Sequence, residues 1–110
     1  MMEAYNMSTT QTIERTTLTH LIYNEDYCRK VIPFIKPIYY ADRQERVVFE
    51  EIEKFLDKYN TLPTKETLTI GVDNRKDIND EDYKKVVEII STLDKTEVDL
   101  QWLHDETEKF

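Results

Sequence analysis

The spacing of apolar and polar positions between residues 42 and 59 predicts one long amphipathic helix. Apolar side chains recur there at steps of three and four, which places them on a single helical face. Asp42 can cap the first turn, and Glu45 can return the hydrogen bond to complete a capping box. The predicted buried face comprises Val48, Phe49, Ile52, Phe55, Leu56 and Tyr59, and the predicted solvated face comprises Glu50, Glu51, Glu53, Lys54, Asp57 and Lys58. Nothing in this helix points to chemistry, so we interpret it as scaffold.

Two further helices are predicted before this one. Residues 13–22 carry a modest apolar face, and Asn24 is placed to end that helix or to cap the next, which we expect to begin near Glu25. Pro33 should end or kink the second helix, because its ring removes a donor and clashes with the preceding turn. An apolar connector follows, containing Phe34, Ile35 and Ile38.

Three helices are predicted after the long one. Thr64 should cap a short helix over residues 65–72. The β-branched side chains in this segment weaken that prediction, and a strand is the alternative. Asn79 should cap the next helix, with Asp82 completing the cap. Thr96 should start the last helix. With a single glycine and three prolines among 110 residues, the pattern predicts an all-α fold, a small bundle of about six helices.

The length of 110 residues suits one domain. We expect residues 1–12, which are polar and lack periodicity, to form a mobile leader, and residues 13–110 to form the domain. No segment has the roughly 20 apolar residues that a membrane span needs, and no apolar stretch follows a basic start, so we expect a soluble protein that is not secreted. The single cysteine, Cys28, agrees with a reducing cytosol, and we expect it to be a semi-buried structural residue.

The net charge of −8 argues against direct binding of nucleic acid, because phosphate binding depends on lysine and arginine. From Asp80 onward, acids outnumber lysines ten to four. One region is locally basic and contains Arg29, Lys30, Lys36, Arg43 and Arg46. We expect it to meet an acidic neighbouring subunit, since Tyr39 and Tyr40 should be buried and unavailable for stacking on bases.

Catalysis and metal binding are weakly supported. His20 and His104 lie far apart and neither forms a zinc-ligand pair with Cys28. We expect His20 to be a core-edge histidine with one hydrogen bond, and His104 to lie at the surface. No glycine-rich nest or strained turn accompanies a nucleophile. The carboxylates of Glu50, Glu51 and Glu53 point in different directions on a helix, so we interpret them as a solvated face rather than a cation site.

Several segments together resemble the amino-terminal domain of DnaB-family replicative helicases. They are the Tyr39-Tyr40 step before the long helix, the turn Thr61-Leu62-Pro63-Thr64, and the first helix at residues 18–24. The run Trp102-Leu103 followed by residues 106–110 narrows the resemblance to the replicative helicases of T4-like bacteriophages. It covers residues 13–110, and it implies that the chain ends at the start of a helical hairpin.

The resemblance implies an assembly role without catalysis. In that family the ATPase motor occupies a separate carboxyl-terminal domain, so ATP and magnesium are expected only there and no cofactor is expected in this chain. Gly71 is the only glycine, which excludes a phosphate-binding loop here. The implied partners are other helicase subunits and primase, in the cytoplasm of the infected bacterium. Either the chain is part of a longer helicase, which we favour, or it is a free-standing replisome adaptor.

The predicted interaction residues lie in two places. One is the carboxyl-terminal helix, where Trp102 should lie at the edge of the core or toward a partner, because large aromatics are enriched in interfaces. A place for Trp102 within the core is the equal alternative. The other is the basic region. The full set is Trp102, Leu103, Glu106, Phe110, Arg43 and Arg46. Without the hairpin, we expect the domain to be monomeric or weakly dimeric.

Overall fold

The computed structural model describes the backbone of residues 2–94 and 100–109, and the side chains of residues 13–94, 101–103 and 105–108. Six α-helices occur in it, and no strand occurs among the described residues, which confirms the predicted all-α bundle. They are α1 (Met2–Tyr23), α2 (Glu25–Val31), α3 (Arg43–Tyr59), α4 (Lys65–Asp73), α5 (Asp80–Ser91) and α6 (Leu100–Lys109). The backbone of residues 2–12 continues α1, and their expected mobility stays a prediction.

The predicted caps explain where most of the helices begin. Asn24, Asp42, Thr64 and Asn79 each accept a backbone hydrogen bond from the first turn of the following helix. At α4 the Thr64 and Thr67 side chains form a reciprocal capping box. The residues 65–72 are therefore helical despite their β-branched side chains, and the strand alternative is wrong. The predicted start of the last helix at Thr96 lies outside the described residues.

The helix α3 is the centre of the bundle and packs against α1, α4 and α5. Its amphipathic face supplies Val47, Val48, Phe49 and Ile52, all of which are buried. The other helices add apolar residues to the same core, including Leu18, Leu21, Tyr27, Leu68, Val72, Val86, Ile90 and Leu103. The prediction for the end of α3 was wrong, because Tyr59 is 55% exposed beyond the edge of this core.

Two buried tyrosines connect the helices through their hydroxyl groups. The Tyr40 hydroxyl lies 2.8 Å from Thr17 Oγ1, and the Tyr40 ring stacks on Phe49 with centroids 5.2 Å apart. The Tyr27 hydroxyl lies 2.7 Å from Thr107 Oγ1 and so joins α2 to α6. Burial raises the pKa of Tyr27 to about 12, so this hydroxyl stays protonated at neutral pH.

Two predicted capping interactions are replaced by contacts between distant elements. Glu45 does not return a hydrogen bond to its own helix start. Its buried carboxylate accepts a hydrogen bond of 3.0 Å from Arg15 Nε, which fixes α1 against α3. Burial raises the pKa of Glu45, an effect that Arg15 opposes. Asp82 likewise accepts hydrogen bonds from Arg43 and Gln44, which fixes α5 against the start of α3.

Candidate interaction surfaces

Metal-ligating and nucleophilic side chains are the first candidates for a functional site. No three histidine, cysteine, aspartate or glutamate side chains among them come together as a metal site would require. Cys28 is fully buried rather than semi-buried, and burial raises the pKa of its thiol to about 11, which leaves little thiolate to act as a nucleophile. Among the described helices, none combines the length and apolar character needed to cross a membrane.

His20 differs from the prediction because neither ring nitrogen has a hydrogen-bond partner. The side chain is 5% exposed and meets the Tyr27 ring edge-on, with centroids 6.3 Å apart. Burial without a partner disfavours the charged imidazolium and lowers the pKa of His20. This histidine is therefore a buried neutral group, and His104 has no described side chain.

The predicted basic region does not form one continuous cationic surface. Arg43 lies at the start of α3, where it binds Asp82 and the Asp77 carbonyl, and Arg46 donates to the Tyr40 carbonyl at 3.2 and 3.3 Å. Arg29 binds Asn60 at the other end of α3, which is about 25 Å away along a helix of 17 residues. These three guanidinium groups are consequently engaged within the domain.

The predicted solvated carboxylate face contains a buried ion pair. Glu51 is 5% exposed, and Arg75 Nη1 donates to its carboxylate at 2.8 Å. The same guanidinium binds Glu50 and Asp77, and these contacts raise its pKa further, the Asp77 hydrogen bond contributing most. The prediction that Glu51 lies in water was wrong. The cluster joins α3 to the segment after α4 and is structural.

The predicted interaction residues of α6 lie on different sides of that helix. Trp102 is 42% exposed, and Leu103 is fully buried in the core. Glu106 is half-buried on the same helix. Phe110, the last member of the predicted set, lies outside the described residues. The accessible part of this predicted site is therefore the outer face of α6 around Trp102.

A second exposed apolar surface was not identified from the sequence. Phe34 and Ile38 lie in the connector between α2 and α3 and are 76% and 73% exposed. Tyr39, predicted to be buried, is 40% exposed beside them. Lys30, in the last turn of α2, and Lys36, in the connector, are also exposed. We name Lys30, Phe34, Lys36, Ile38 and Tyr39 the connector surface. The signal in the sequence was the pair of prolines, which favour short turns in which Ile35 is buried and Phe34 and Ile38 are left outside.

A shallow groove between α3 and α4 is the other exposed apolar feature. Tyr59 and Ile70, which is 53% exposed, border a cavity of about 330 Å³ there. The Phe55 and Tyr59 rings pack together with centroids 4.7 Å apart, and Lys58 Nζ lies 5.2 Å from the Tyr59 ring centre. Because its aromatic groups are already paired within the domain, this groove is the less available of the two surfaces.

Comparison with known proteins found a similarity to one replicative protein. No family model matches it, and no solved structure matches it. The chain is 29% identical over 93 residues to the DnaB-like replicative helicase of Enterobacteria phage T4. The matched region covers 84% of this chain and 19% of that helicase, so the chain spans about a fifth of its relative. The resemblance to a phage DnaB-like helicase is therefore confirmed, and it concerns a small part of that protein.

Proposed function

We propose that this chain is a non-catalytic amino-terminal domain of a phage replicative helicase, which assembles with other subunits and binds primase. The observation that carries the proposal is the match to the phage T4 helicase over 84% of the chain. An all-helical bundle with exposed apolar residues in its connector and on α6 supports a binding role rather than a catalytic one. ATP and magnesium would then act in a separate motor domain, in the cytoplasm of the infected host.

The experiment is affinity capture of the primase encoded by the same phage genome on the immobilised chain. We expect retention that is weakened about fivefold or more by Trp102→Ala, because exposed aromatics often dominate interface energies. Tyr59→Ala is the matched control, since Tyr59 is a large exposed aromatic on a different helix. Absence of capture by the correctly folded chain, or equal loss with both variants, would contradict the proposal.

Charge reversal of Arg43 and Arg46 is a poor test of binding. Both guanidinium groups hold the start of α3 in place through Asp82 and the Tyr40 carbonyl. A reversal would therefore change the fold and the surface together. Replacement of Trp102, which is 42% exposed, separates the two effects better.

A free-standing replisome adaptor is the alternative, because the chain spans only 19% of the helicase it resembles. Sequencing the gene beyond the codon for Phe110 distinguishes the two proposals. A phosphate-binding loop within the following few hundred codons supports the helicase, and a stop codon supports the adaptor.

A further inference from the structure

We propose that the connector surface is a docking site for an acidic segment of a partner protein that carries apolar side chains. This inference rests on the proposed function, because it describes the chemistry of the partner that this domain would bind. The surface consists of Lys30, Phe34, Lys36, Ile38 and Tyr39, as defined above. Four features carry the inference, namely its exposed apolar area, its ordered backbone, the cavity beside Phe34 and its charge.

The exposed apolar area is concentrated in the connector. Phe34 and Ile38 are the two most exposed large apolar side chains of the described residues, at 76% and 73%. Ile35 and Tyr40, in the same connector, are 4% and 0% exposed and anchor it to the core. Adjacent apolar side chains left in water while their neighbours are buried are typical of an interaction surface.

The backbone beneath these side chains is held in place. Pro33 and Pro37 each stand near the start of a short 3₁₀ turn, where the ring fixes φ. The turns are closed by backbone hydrogen bonds from Ile35 to Val31 and from Tyr40 to Pro37, at 3.2 and 3.1 Å. A surface that is already ordered loses little conformational entropy on binding.

A cavity beside Phe34 can hold an apolar side chain of a partner. It encloses about 430 Å³ between the connector and the end of α6. Val31 and Ile35 contribute buried apolar walls, and Tyr39 and Thr107 contribute polar groups at the rim. The volume suits one or two inserted side chains, so the docking segment needs an apolar anchor as well as charge.

The charge of the connector selects an acidic segment. Residues 27–41 contain three cations and no acid, within a chain of net charge −8. Arg29 is paired with Glu25, whereas Lys30 and Lys36 form no ion pair with any residue that the structure describes. The acids nearby are Glu108 at this cavity, Glu53 and Asp57 in a second cavity against Pro33, and Glu25 and Asp26 in the first turn of α2. Lys30 lines the cavity with Phe34, and Lys36 stands between Phe34 and Ile38 in the sequence, so both ammonium groups are available to carboxylates of a partner.

The same charges disfavour two other occupants. Nucleic acid is attracted by clustered lysine and arginine, and two ammonium groups on a chain of charge −8 provide little such attraction. A second copy of this chain would also carry −8, so the two copies would repel each other at long range. A short acidic segment of another protein meets less of this repulsion.

The test is fluorescence anisotropy with labelled 12-residue peptides added to the intact chain. The probe contains one phenylalanine and two leucines at helical spacing, with glutamate and aspartate elsewhere. One control peptide replaces every acid with lysine, and the other replaces the three apolar residues with alanine. We expect saturable binding of the acidic apolar probe at micromolar concentration, and binding at least about tenfold weaker for either control peptide.

Variants then locate the site. Phe34→Ser combined with Ile38→Ser should weaken probe binding about tenfold or more. Lys30→Glu combined with Lys36→Glu should do the same and should reverse the preference between acidic and basic peptides. Ile70→Ser is the matched control for the first pair, because Ile70 is exposed at 53% on α4. All the altered residues are exposed, and circular dichroism verifies that each variant is folded.

Any of five results would overturn the inference. The first two concern the peptides, and are failure of the acidic apolar peptide to bind and equal binding of the lysine peptide. The next two are loss of binding in Ile70→Ser to the same degree, and reversible dimerisation in sedimentation that the serine pair abolishes. Binding of a single-stranded oligonucleotide at the same residues would also overturn it. Peptide binding without primase capture would uphold the surface and contradict the proposed function, so the two failures are distinguishable.

Discussion

The Glu51–Arg75 pair offers the sharpest test of how the bundle is held together. Arg75→Met keeps the length of the side chain but leaves the Glu51 carboxylate, 5% exposed, with the exposed Lys54 ammonium at 4.0 Å as its only cationic partner among the described residues. Breaking a buried pair by removing one partner costs about 3–5 kcal/mol. Because Arg75 itself is 13% exposed, we expect about 3 kcal/mol, near the low end of that range. Glu50 is 38% exposed, and Asp77 more so, and both can return to water.

The measurement is urea unfolding followed by circular dichroism at 222 nm, with a thermal scan beside it. A loss of about 3 kcal/mol lowers the urea midpoint by roughly 1.5 M at a typical slope of about 2 kcal/mol/M. The melting temperature should fall by roughly 10–20 °C. Arg29→Met is the matched control, because Arg29 is 42% exposed in its pair with Glu25. It should cost no more than about 1 kcal/mol.

The double variant separates charge from packing. Adding Glu51→Leu to Arg75→Met removes the stranded carboxylate and fills the same space with an apolar side chain. Most of the lost stability should return, because a buried ion pair and a well-packed apolar pair are often equivalent. The reasoning is refuted if Arg75→Met and Arg29→Met are equally destabilising. It is also refuted if the double variant is no more stable than Arg75→Met alone.

Three further predictions concern single positions in the core and the caps. Burial lowers the pKa of His20 from 6.5, so the unfolded chain binds more protons below that pH, and stability should fall as the pH drops through 6.5. His20→Leu should flatten that part of the pH profile between pH 7.5 and 5.5, and an unchanged slope would refute it. Asn60 has a φ of +54°. Asn60→Ala should lower the free energy of unfolding in urea by about 1 kcal/mol, because alanine is strained at this φ and the contact with Arg29 is lost. Asn60→Gly should cost less, because glycine adopts this φ without strain. Relative to Glu51→Ala alone, adding Gly71→Ala should be stabilising by up to about 1 kcal/mol, because alanine favours a helix more than glycine does. In the natural chain Gly71→Ala should not be stabilising, since a Cβ at Gly71 would collide with Glu51 Oε1. Equal effects with and without Glu51 would contradict this.

The helices were predictable from the sequence because their caps are local. Asn24, Thr64 and Asn79 each satisfy backbone groups within three residues, and such contacts are visible in the order of side chains. At α4 the hydrogen bonds of the Thr64 cap outweigh the low helix propensity of the β-branched residues in that helix. The all-α bundle follows from these signals together with the near absence of glycine.

Pairings between distant elements were not predictable in the same way. Glu45 was expected to complete a helix cap. Glu51 was expected to face water, since acids on a helix usually do. Their partners, Arg15 and Arg75, lie 30 and 24 residues away in the sequence. Helical periodicity gives the face on which a residue lies, but it contains no information about which cation the fold brings to that face.

The candidate surfaces were predicted only in part. Trp102 was expected at an edge or interface, and its 42% exposure agrees with that placement. The connector surface was missed, because Phe34 and Ile38 are as apolar as core residues and a turn segment has no periodicity to assign a face. Only the tertiary structure shows that Ile35 and Tyr40 fill the core and leave their neighbours outside.

The most direct test of the central claim is competition in a reconstituted reaction of the phage's full-length helicase and primase. If this chain is a primase-binding domain of such a helicase, an excess of the isolated chain should lower primer synthesis in proportion to the primase it captures. It should leave ATP hydrolysis by the helicase unchanged, because that activity belongs to the motor domain. Primer synthesis that is unaffected by a large excess of the folded chain would contradict the account.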